Sequence, residues 1–293
     1  MKKKVLFVAS MFMATAMIAQ DGLTSKKGEA YLPEAGDWAL GFDGTPFLNY
    51  AGNWFNGTSN NSVNATWVGN QPSATIYGKM FKDETTAYRA KIRIGFGSSS
   101  QKAFTDTIGN NVVNPGNPAT VVEIEDKMST SGFNLTLGGG IEKRRGNTRI
   151  QGFYGGEVLI SFGSSSESYE YGDTHDDDNG VVFHDFGSND LGGPTAKRVT
   201  EVSYGSTMTI GLRGFIGVEW FLAPKVSVAA EYGWGLRMQS QGDGTTTTEE
   251  WMLATPTATD NSLVTKETTQ GGTSSFGIDT DNNGGVISIF FHF

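Results

Sequence analysis

The stretch "TIGLRGFIGVEWFL", Thr209–Leu222, alternates two kinds of side chain with a period of two. One set is large and apolar around a single glycine: Ile210, Leu212, Gly214, Ile216, Val218 and Trp220. The other set mixes glycine with charge: Thr209, Gly211, Arg213, Phe215, Gly217 and Glu219. A period of two indicates a β-strand. Because charges and glycines share one face, the pattern favours a narrow closed barrel with its apolar face toward lipid.

Seven further segments are rich in β-branched and aromatic residues and follow the same alternation. The predicted strands are approximately Asp37–Gly44, Ala74–Phe81, Ala87–Gly97, Ser131–Glu142, Thr148–Phe162, Thr207–Leu222, Lys225–Ser240 and Gly284–Phe293. Several of them reach the length of about 9–11 residues with which a tilted strand crosses a bilayer. No apolar segment after the first twenty residues or so reaches the ~18 residues that a membrane-spanning helix needs.

The connections between these strands alternate in length. Short ones ("KDETT", "KRRGN" and "AP") follow strands two, four and six, whereas long polar ones follow strands one, three, five and seven. This predicts an all-β, antiparallel up-and-down transmembrane barrel of eight strands, with short periplasmic turns and long extracellular loops. Ten strands are the alternative, because "TVVEIED" (120–126) and "KRVTEVSY" (197–204) have β character; the same segments would equally extend strands four and six.

Composition narrows the class of protein. The 293 residues include 40 glycines and no cysteine, and the formal net charge is −9. The absence of cysteine excludes disulfides and thiolate metal sites, and the acidic balance argues against nucleic acid as a partner. Residues 1–19 carry three lysines, an apolar run and a small-residue end, which is typical of a secretory signal peptide. Residues 20–36 are then a periplasmic N-terminal segment, and residues 37–293 form the barrel.

The last segment, "GVISIFFHF" (285–293), has apolar residues at alternate positions counted back from the final phenylalanine: Ile287, Ile289, Phe291 and Phe293. A terminal strand of this kind resembles the C-terminal assembly signal of the small eight-stranded Gram-negative outer-membrane barrels, the OmpA-like and OmpX-like proteins. The resemblance implies a location in the outer membrane, contact with outer-membrane lipid and recognition by the barrel-assembly machinery. It identifies no catalytic motif, and the long acidic loops depart from the family pattern.

Inside such a barrel the alternation collects six acids and six bases. They are Asp37, Asp43, Glu142, Glu157, Glu219, Glu231, Lys79, Arg89, Lys91, Arg93, Arg213 and Arg237. Since eight strands leave an interior just wide enough for side chains, we interpret these residues as a structural plug of salt bridges, with an ion path as the alternative. Arg93, Arg213 and Arg237 are each expected to reach a carboxylate, whereas Arg144 is expected in an exposed periplasmic turn.

Two acidic clusters lie in the long loops. "DTDNNG" places Asp279, Asp281 and Asn283 as in the first half of a calcium-binding loop, and "GDTHDDDNG" supplies Asp176 and Asp178. Position twelve of the first cluster is Phe290, where such a loop requires a bidentate glutamate. The patterns therefore favour solvated turns, with weak surface binding of a divalent cation as the alternative and no other cofactor.

Two further loop features bear on function. His184 and Asp185 are the neighbouring pair to consider for a rim-located hydrolase, and Pro46–Asn56 is an aromatic stretch suited to the membrane boundary or to docking. The sequence favours a non-enzymatic protein with a structural, interaction or surface-binding role, as in an accessory subunit of a larger envelope complex. A small porin-like channel is the second hypothesis and a rim hydrolase the third.

Overall fold

The computed structural model describes residues 24–44, 75–106, 123–172, 186, 197–253, 261–280 and 286–293. Within these residues the chain is all-β, with twelve strands in one antiparallel sheet. The strands are β1 (Trp38–Asp43), β2 (Ile76–Asp83), β3 (Thr86–Asp106), β4 (Glu123–Arg145), β5 (Ile150–Glu170), β6 (Lys197–Ser203), β7 (Thr207–Ala223), β8 (Val226–Gln241), β9 (Gly244–Leu253), β10 (Asn261–Gln270), β11 (Thr273–Thr280) and β12 (Val286–His292).

The strand pairings return to their starting point. From β1 they pass through β2, β3, β4, β5, β7, β8 and β12, and β12 pairs again with β1. We call these eight strands the ring. Each of them overlaps one of the eight segments predicted from the alternation, so the predicted all-β, antiparallel fold is confirmed at that level.

Four strands lie outside the ring, which the sequence analysis did not predict as such. β6 pairs with the end of β5 through Ser166–Ser168, and with β9, which pairs in turn with β10. β11 pairs with the second half of β8, from Trp234 to Gln241. The sequence analysis left two segments open as extra strands or strand extensions. In the structure, Glu123–Asp126 forms the first residues of β4, which begins earlier than predicted, whereas Lys197–Ser203 is the separate strand β6. We call β6, β9 and β10 the upper sheet.

The ring has two distinct ends. Its lower end carries the short connections β2–β3, β4–β5 and β7–β8, and its upper end carries the longer ones. In the β2–β3 turn, the Asp83 carboxylate accepts hydrogen bonds from the Thr85 amide and hydroxyl at 2.8 and 2.7 Å. The hydroxyl and amide bonds from Thr85 lower the pKa of Asp83. Below the β4–β5 turn, the Arg149 guanidinium stacks 3.4 Å from the ring centroid of Tyr31, which ties the N-terminal segment to this end.

The two faces of the ring have opposite chemistry. The inner face is buried and combines phenylalanines with charged residues, including Phe81, Phe153, Glu142 and Glu219. The outer face exposes large apolar side chains from every strand of the ring, among them Trp38, Ile94, Tyr154, Ile216, Trp234 and Phe291. No helix in the described residues is long and apolar enough to cross a membrane. Because charged residues are buried on the inner face and large apolar residues are exposed on the outer face, the distribution is the reverse of that in a protein whose apolar residues form the core.

The outer apolar surface stops abruptly on three adjacent strands. Moving up the outer face by one position, β3 changes from Phe96 to Ser98 and β4 changes from Phe133 to Ser131. β5 changes in the same way, from Phe162 to Ser164. Phe96 is 77% exposed and lies in register with Phe133. Above this boundary, most side chains on both faces of the three strands are polar, with Phe104 of β3 as an exposed exception.

Candidate functional site

The lower part of the ring interior holds two carboxylates that no solvent reaches. Glu142 and Glu219 are each 0% exposed. Lys79 Nζ lies 2.9 Å from Glu219 and 3.2 Å from Glu142. Arg144 Nη1 lies 2.7 Å from Glu219 and 2.6 Å from Glu142, so the two cations and two carboxylates form a closed square. Pairing of this kind is what makes buried charge tolerable, since an isolated charge in a dry interior is strongly unfavourable.

Ion pairs continue upward from this square without a break. Arg89 links Glu142 to Glu231, at 3.5 and 2.6 Å. Arg213 then links Glu231 to Glu157, at 2.6 and 2.9 Å. Lys91 ends the series, 2.5 Å from Glu157. We call the whole set the inner charge network: Lys79, Arg89, Lys91, Arg144, Arg213, Glu142, Glu157, Glu219 and Glu231.

Phenylalanine rings fill the space around these cations. Lys79 Nζ lies 4.3 Å from the ring centroid of Phe290, and the Arg89 guanidinium lies 4.0 Å from that of Phe215. The Arg144 guanidinium lies between Phe81 and Phe221, at 5.3 and 5.5 Å. Cation–π contacts in a desolvated site are worth up to ~2 kcal/mol each. The phenylalanines therefore exclude water and also stabilise the charges.

Glycines on neighbouring strands provide the room that these long side chains need. A Cβ at Gly233 would meet the Arg213 guanidinium at 2.2 Å, and one at Gly217 would meet the Phe153 ring at 2.3 Å. A Cβ at Gly41 would meet the Phe290 ring at 2.4 Å. Large inner residues therefore lie over a glycine of the adjacent strand, a known device for packing aromatic residues in sheets. This steric requirement explains why glycines alternate with charged residues in the sequence.

The structure brings most of the predicted inner residues together, and Arg237 and Arg144 differ from the expectation. Arg237 is exposed and forms no ion pair in the part of the chain that the structure describes. Arg93 is half buried at an inner position of β3, in register with Thr136 of β4. Arg144 was expected to be exposed, and this prediction is wrong, because β4 continues to Arg145 and Arg144 shares the inner face with Glu142.

Two of the acids assigned to the interior lie at its margins. Asp37 is half buried, and its Oδ2 accepts a hydrogen bond from the Glu34 amide at 2.8 Å. Asp43 is buried at the upper end of β1, in register with Ser288. Eight residues that the sequence analysis assigned to the interior lie there and form ion pairs with one another: Lys79, Arg89, Lys91, Glu142, Glu157, Arg213, Glu219 and Glu231.

A serine, a histidine and a glutamate meet at the lower end. The Ser227 hydroxyl donates to Glu219 Oε1 at 2.5 Å and lies 2.8 Å from His292 Nε2. Although these residue types recur in hydrolases, Ser227 is 0% exposed and His292 is packed between Phe81 and Phe221. The serine hydroxyl bonds to the carboxylate and no substrate reaches it. This group therefore closes the lower end of the network and is unsuited to nucleophilic catalysis.

Above the inner charge network the interior changes to small polar side chains. One cavity of about 330 Å³ is lined by Asn134, Ser165 and Thr207 together with glycines of β3, β4 and β5. A second cavity, of about 410 Å³, is lined by Ser161, Thr209 and Arg237 among others. Because these residues occupy successive inner positions of the same strands, the two cavities adjoin. We call them the vestibule.

The terminal strand takes its place as a wall of the ring. β12 lies between β1 and β8, and the Phe293 ring stacks on Trp38 at a centroid distance of 4.5 Å. Phe291 and Phe293 are exposed on the outer face, with Ile287 and Ile289 half buried on the same face.

Several predicted residues lie outside the described part of the chain. They are Asp176, Asp178, His184, Asp185, Asp281, Asn283 and Pro46–Asn56, together with the signal peptide of residues 1–19. The backbone of Asp279 belongs to β11, in register with Gly235. Among the residues that the structure describes, no group of three or more His, Asp or Glu side chains is arranged to hold a metal ion.

Comparisons with known proteins add no relative. No family model matches the chain, and neither a curated protein nor a solved structure is significantly similar to it.

Proposed function

We propose that this protein is an outer-membrane β-barrel that is closed by its own side chains and has a non-enzymatic, surface-binding role. The observation that supports this best is the inverted ring, in which charges are buried inside and large apolar side chains are exposed outside. In water, a continuous apolar surface of this kind would drive aggregation. In a bilayer, the same surface faces its preferred solvent, and a closed ring leaves no unpaired strand edge in hydrocarbon.

The boundary at the upper end of the apolar surface supports a membrane position. Phe96, Phe133 and Phe162 are exposed aromatic residues at the last apolar level of their strands, directly below serines. Outer-membrane barrels carry aromatic girdles where the hydrocarbon meets the headgroups. On this proposal the short turns are periplasmic, and the upper sheet projects outside the cell.

The inner charge network supports a closed barrel and argues against the porin-like alternative. Its ion pairs connect without a gap from Lys91 to Glu219, and the phenylalanines between them are buried. A conducting pore needs a continuous water path lined by groups that release the ion. Here each carboxylate of the network is held by two or more cations, which favours a structural plug.

The upper part of the chain supports the surface role. β3, β4 and β5 run for 21, 23 and 21 residues, about twice the length needed to cross a bilayer. The polar upper end of β5 pairs with the upper sheet, where Arg198 pairs with Glu249 at 2.8 Å. Exposed loops on a rigid scaffold are the usual place for recognition. We therefore propose another envelope protein as the partner of this surface, with no cofactor required.

The membrane part of the proposal is tested with purified protein. We expect chain refolded into detergent to insert into planar bilayers, to migrate differently before and after heating, and to give no steady conductance. Stable openings from the monomer would favour the porin-like channel. A soluble protein that partitions into neither detergent nor membranes would contradict the barrel.

The surface role is tested by removing part of the upper sheet. Gln241 and Thr273 are register partners, so the chain between them leaves and re-enters the ring at one point. We expect replacement of residues 242–272 by a two-residue turn to leave the ring folded but to abolish co-purification of a partner from native membranes. The matched control carries a short tag in the lower β4–β5 turn. Retention of the same partner by the deletion variant would contradict the role of this surface.

A further inference from the structure

The vestibule differs from the rest of the interior in its chemistry as well as its volume. Its walls carry hydroxyl and amide groups from Asn134, Ser161, Ser165, Thr207 and Thr209. Apolar side chains complete the lining: Phe96, Phe133, Leu159, Leu212 and Leu236. The Thr136 and Ser161 hydroxyls are within 2.9 Å of one another across β4 and β5. These groups both donate and accept hydrogen bonds. Such a lining suits a ligand that is itself rich in hydroxyl groups.

Arg237 is placed to act within this space. Its register partners on both sides are glycines, Gly211 of β7 and Gly277 of β11. A Cβ built at Gly277 would meet no atom within 4 Å, so the space beside the guanidinium is open. Arg237 itself is exposed and has no ion pair among the described residues. Its guanidinium therefore keeps its full hydrogen-bonding capacity for a bound group.

Among the residues that the structure describes, the charges around the vestibule are mainly positive. Arg93 lies in register with Thr136, and Lys91 and Arg213 lie at the floor, where both pair with Glu157. The acidic residue nearest to Arg237 in register is Asp279, which pairs with Gly235. Arginine binds carboxylate and phosphate groups through two parallel hydrogen bonds. The arrangement thus adds an anion-binding group to a hydroxyl-binding wall.

We propose that the vestibule binds a small soluble sugar that carries a carboxylate or phosphate group, with Arg237 holding the anion. Cavities of about 330 and 410 Å³ are at the small end of the range for ligand sites. The inference deepens the surface-binding role proposed above and rests on it for the direction in which the vestibule opens. Binding itself is measured on purified protein, so its failure is distinguishable from failure of the membrane assays.

The test uses calorimetric titration of the refolded full chain in detergent with glucuronate, glucose and acetate. Glucuronate combines the hydroxyls of glucose with the charge of acetate. We expect glucuronate to bind at least about tenfold more tightly than either, since a charge-assisted hydrogen bond contributes ~1.5–3 kcal/mol. Equal affinity for glucose, equal affinity for acetate, or no binding of glucuronate would each overturn the proposal.

Variants locate the site. Arg237→Ala is expected to weaken glucuronate binding about tenfold, whereas Arg145→Ala, an exposed arginine at the lower end, should leave it unchanged. Gly277→Trp is expected to abolish binding by occupying the open space beside Arg237. Heat-dependent mobility shows whether each variant is folded. Unchanged binding in folded Arg237→Ala and folded Gly277→Trp would show that the ligand binds elsewhere.

Discussion

The lower and upper halves of the same strands are filled in different ways. β5 has Phe153 and Glu157 at inner positions near its lower end, but Ser161 and Ser165 at the next inner positions above Leu159. The β4–β5 pairing is continuous through both halves, whereas the β5–β7 pairing ends at Gly163. The difference teaches that large inner side chains make the lower half solid, whereas small ones leave the upper half hollow. The lower half uses charge and aromatic rings opposite glycines, whereas the upper half leaves room.

The largest effect is expected at the centre of the solid half. Glu219→Ala removes the carboxylate that binds Lys79, Arg144 and Ser227 and leaves two buried cations short of a partner. Breaking a buried pair costs ~3–5 kcal/mol of unfolding free energy. Urea unfolding in detergent, followed by tryptophan fluorescence, measures it. Glu170→Ala, which breaks the exposed pair with Lys127 at the upper ends of β4 and β5, is the control and should cost ~0–1 kcal/mol. Equal losses would show that burial does not distinguish the two halves.

Two adjacent arginines give the next comparison. Arg144→Ala removes the cation between Glu142 and Glu219 and its contacts with Phe81 and Phe221. We expect a loss of about 3 kcal/mol. Arg145 is the neighbouring residue on the outer face, is exposed, and should lose ~0–1 kcal/mol as Arg145→Ala. The same unfolding measurement applies to both variants. A harmless Arg144→Ala would contradict the inner position of this side chain.

A glycine of the lower half, Gly233, and a glycine of β11 beside the vestibule, Gly277, test the difference in space. The added methyl of Gly233→Ala would overlap the Arg213 guanidinium, which Glu157 and Glu231 hold in place. Overpacking of this kind costs ~1–3 kcal/mol. Gly277→Ala has open space around its Cβ and should change stability by less than about 0.5 kcal/mol. If both substitutions lower the unfolding midpoint equally, the steric account of the inner glycines is wrong.

The smallest effect is expected where the strands have left the ring. Lys102 and Glu125 pair at 2.7 Å across β3 and β4, but their side chains are 57% and 39% exposed. Lys102→Ala should therefore change the unfolding free energy by ~0–1 kcal/mol, with most of that effect lost in high salt. Unfolding at low and high salt measures it. A large loss at high salt would indicate that the polar strand ends stabilise the ring more than their exposure suggests.

The strands of the ring were predictable because each has an apolar outer face and an inner face of charged residues, phenylalanines and glycines. Residues such as Ile216 and Glu219 alternate with a period of two, and that alternation survives from sequence to structure. β6, β9 and β10 lack it, since a stretch such as "GTTTTEEWML" has no consistently apolar face, and in β11 it is limited to two residues, Phe276 and Ile278. With solvent on both faces, period two leaves little signal, and polar strands are read as loops. The upper ends of β3, β4 and β5 were missed for the same reason.

The inner charge network was partly predictable. Counting alternate positions places Glu142 and Arg213 inside, and continuing that count two residues past Glu142 would have placed Arg144 there as well. The inner phenylalanines carried a weaker signal, because an apolar residue on the inner face is read more easily as an exception. Their glycine partners, such as Gly217 opposite Phe153, are far away in sequence, so the pair appears only once the register is known. The sequence likewise does not show that Arg237 lacks a carboxylate partner among the described residues, because this depends on distances in the folded structure.

The register pair Gln241 and Thr273 has a consequence for how this protein can vary. Residues 242–272 form a segment whose two ends are adjacent, so the ring can close whatever the length and sequence of that segment. Closing a longer loop at such a point costs only ~0.6 kcal/mol for each doubling of its length. Foreign peptides inserted there would be displayed on a scaffold that folds around its own interior, and natural sequence drift is expected to concentrate at the same place.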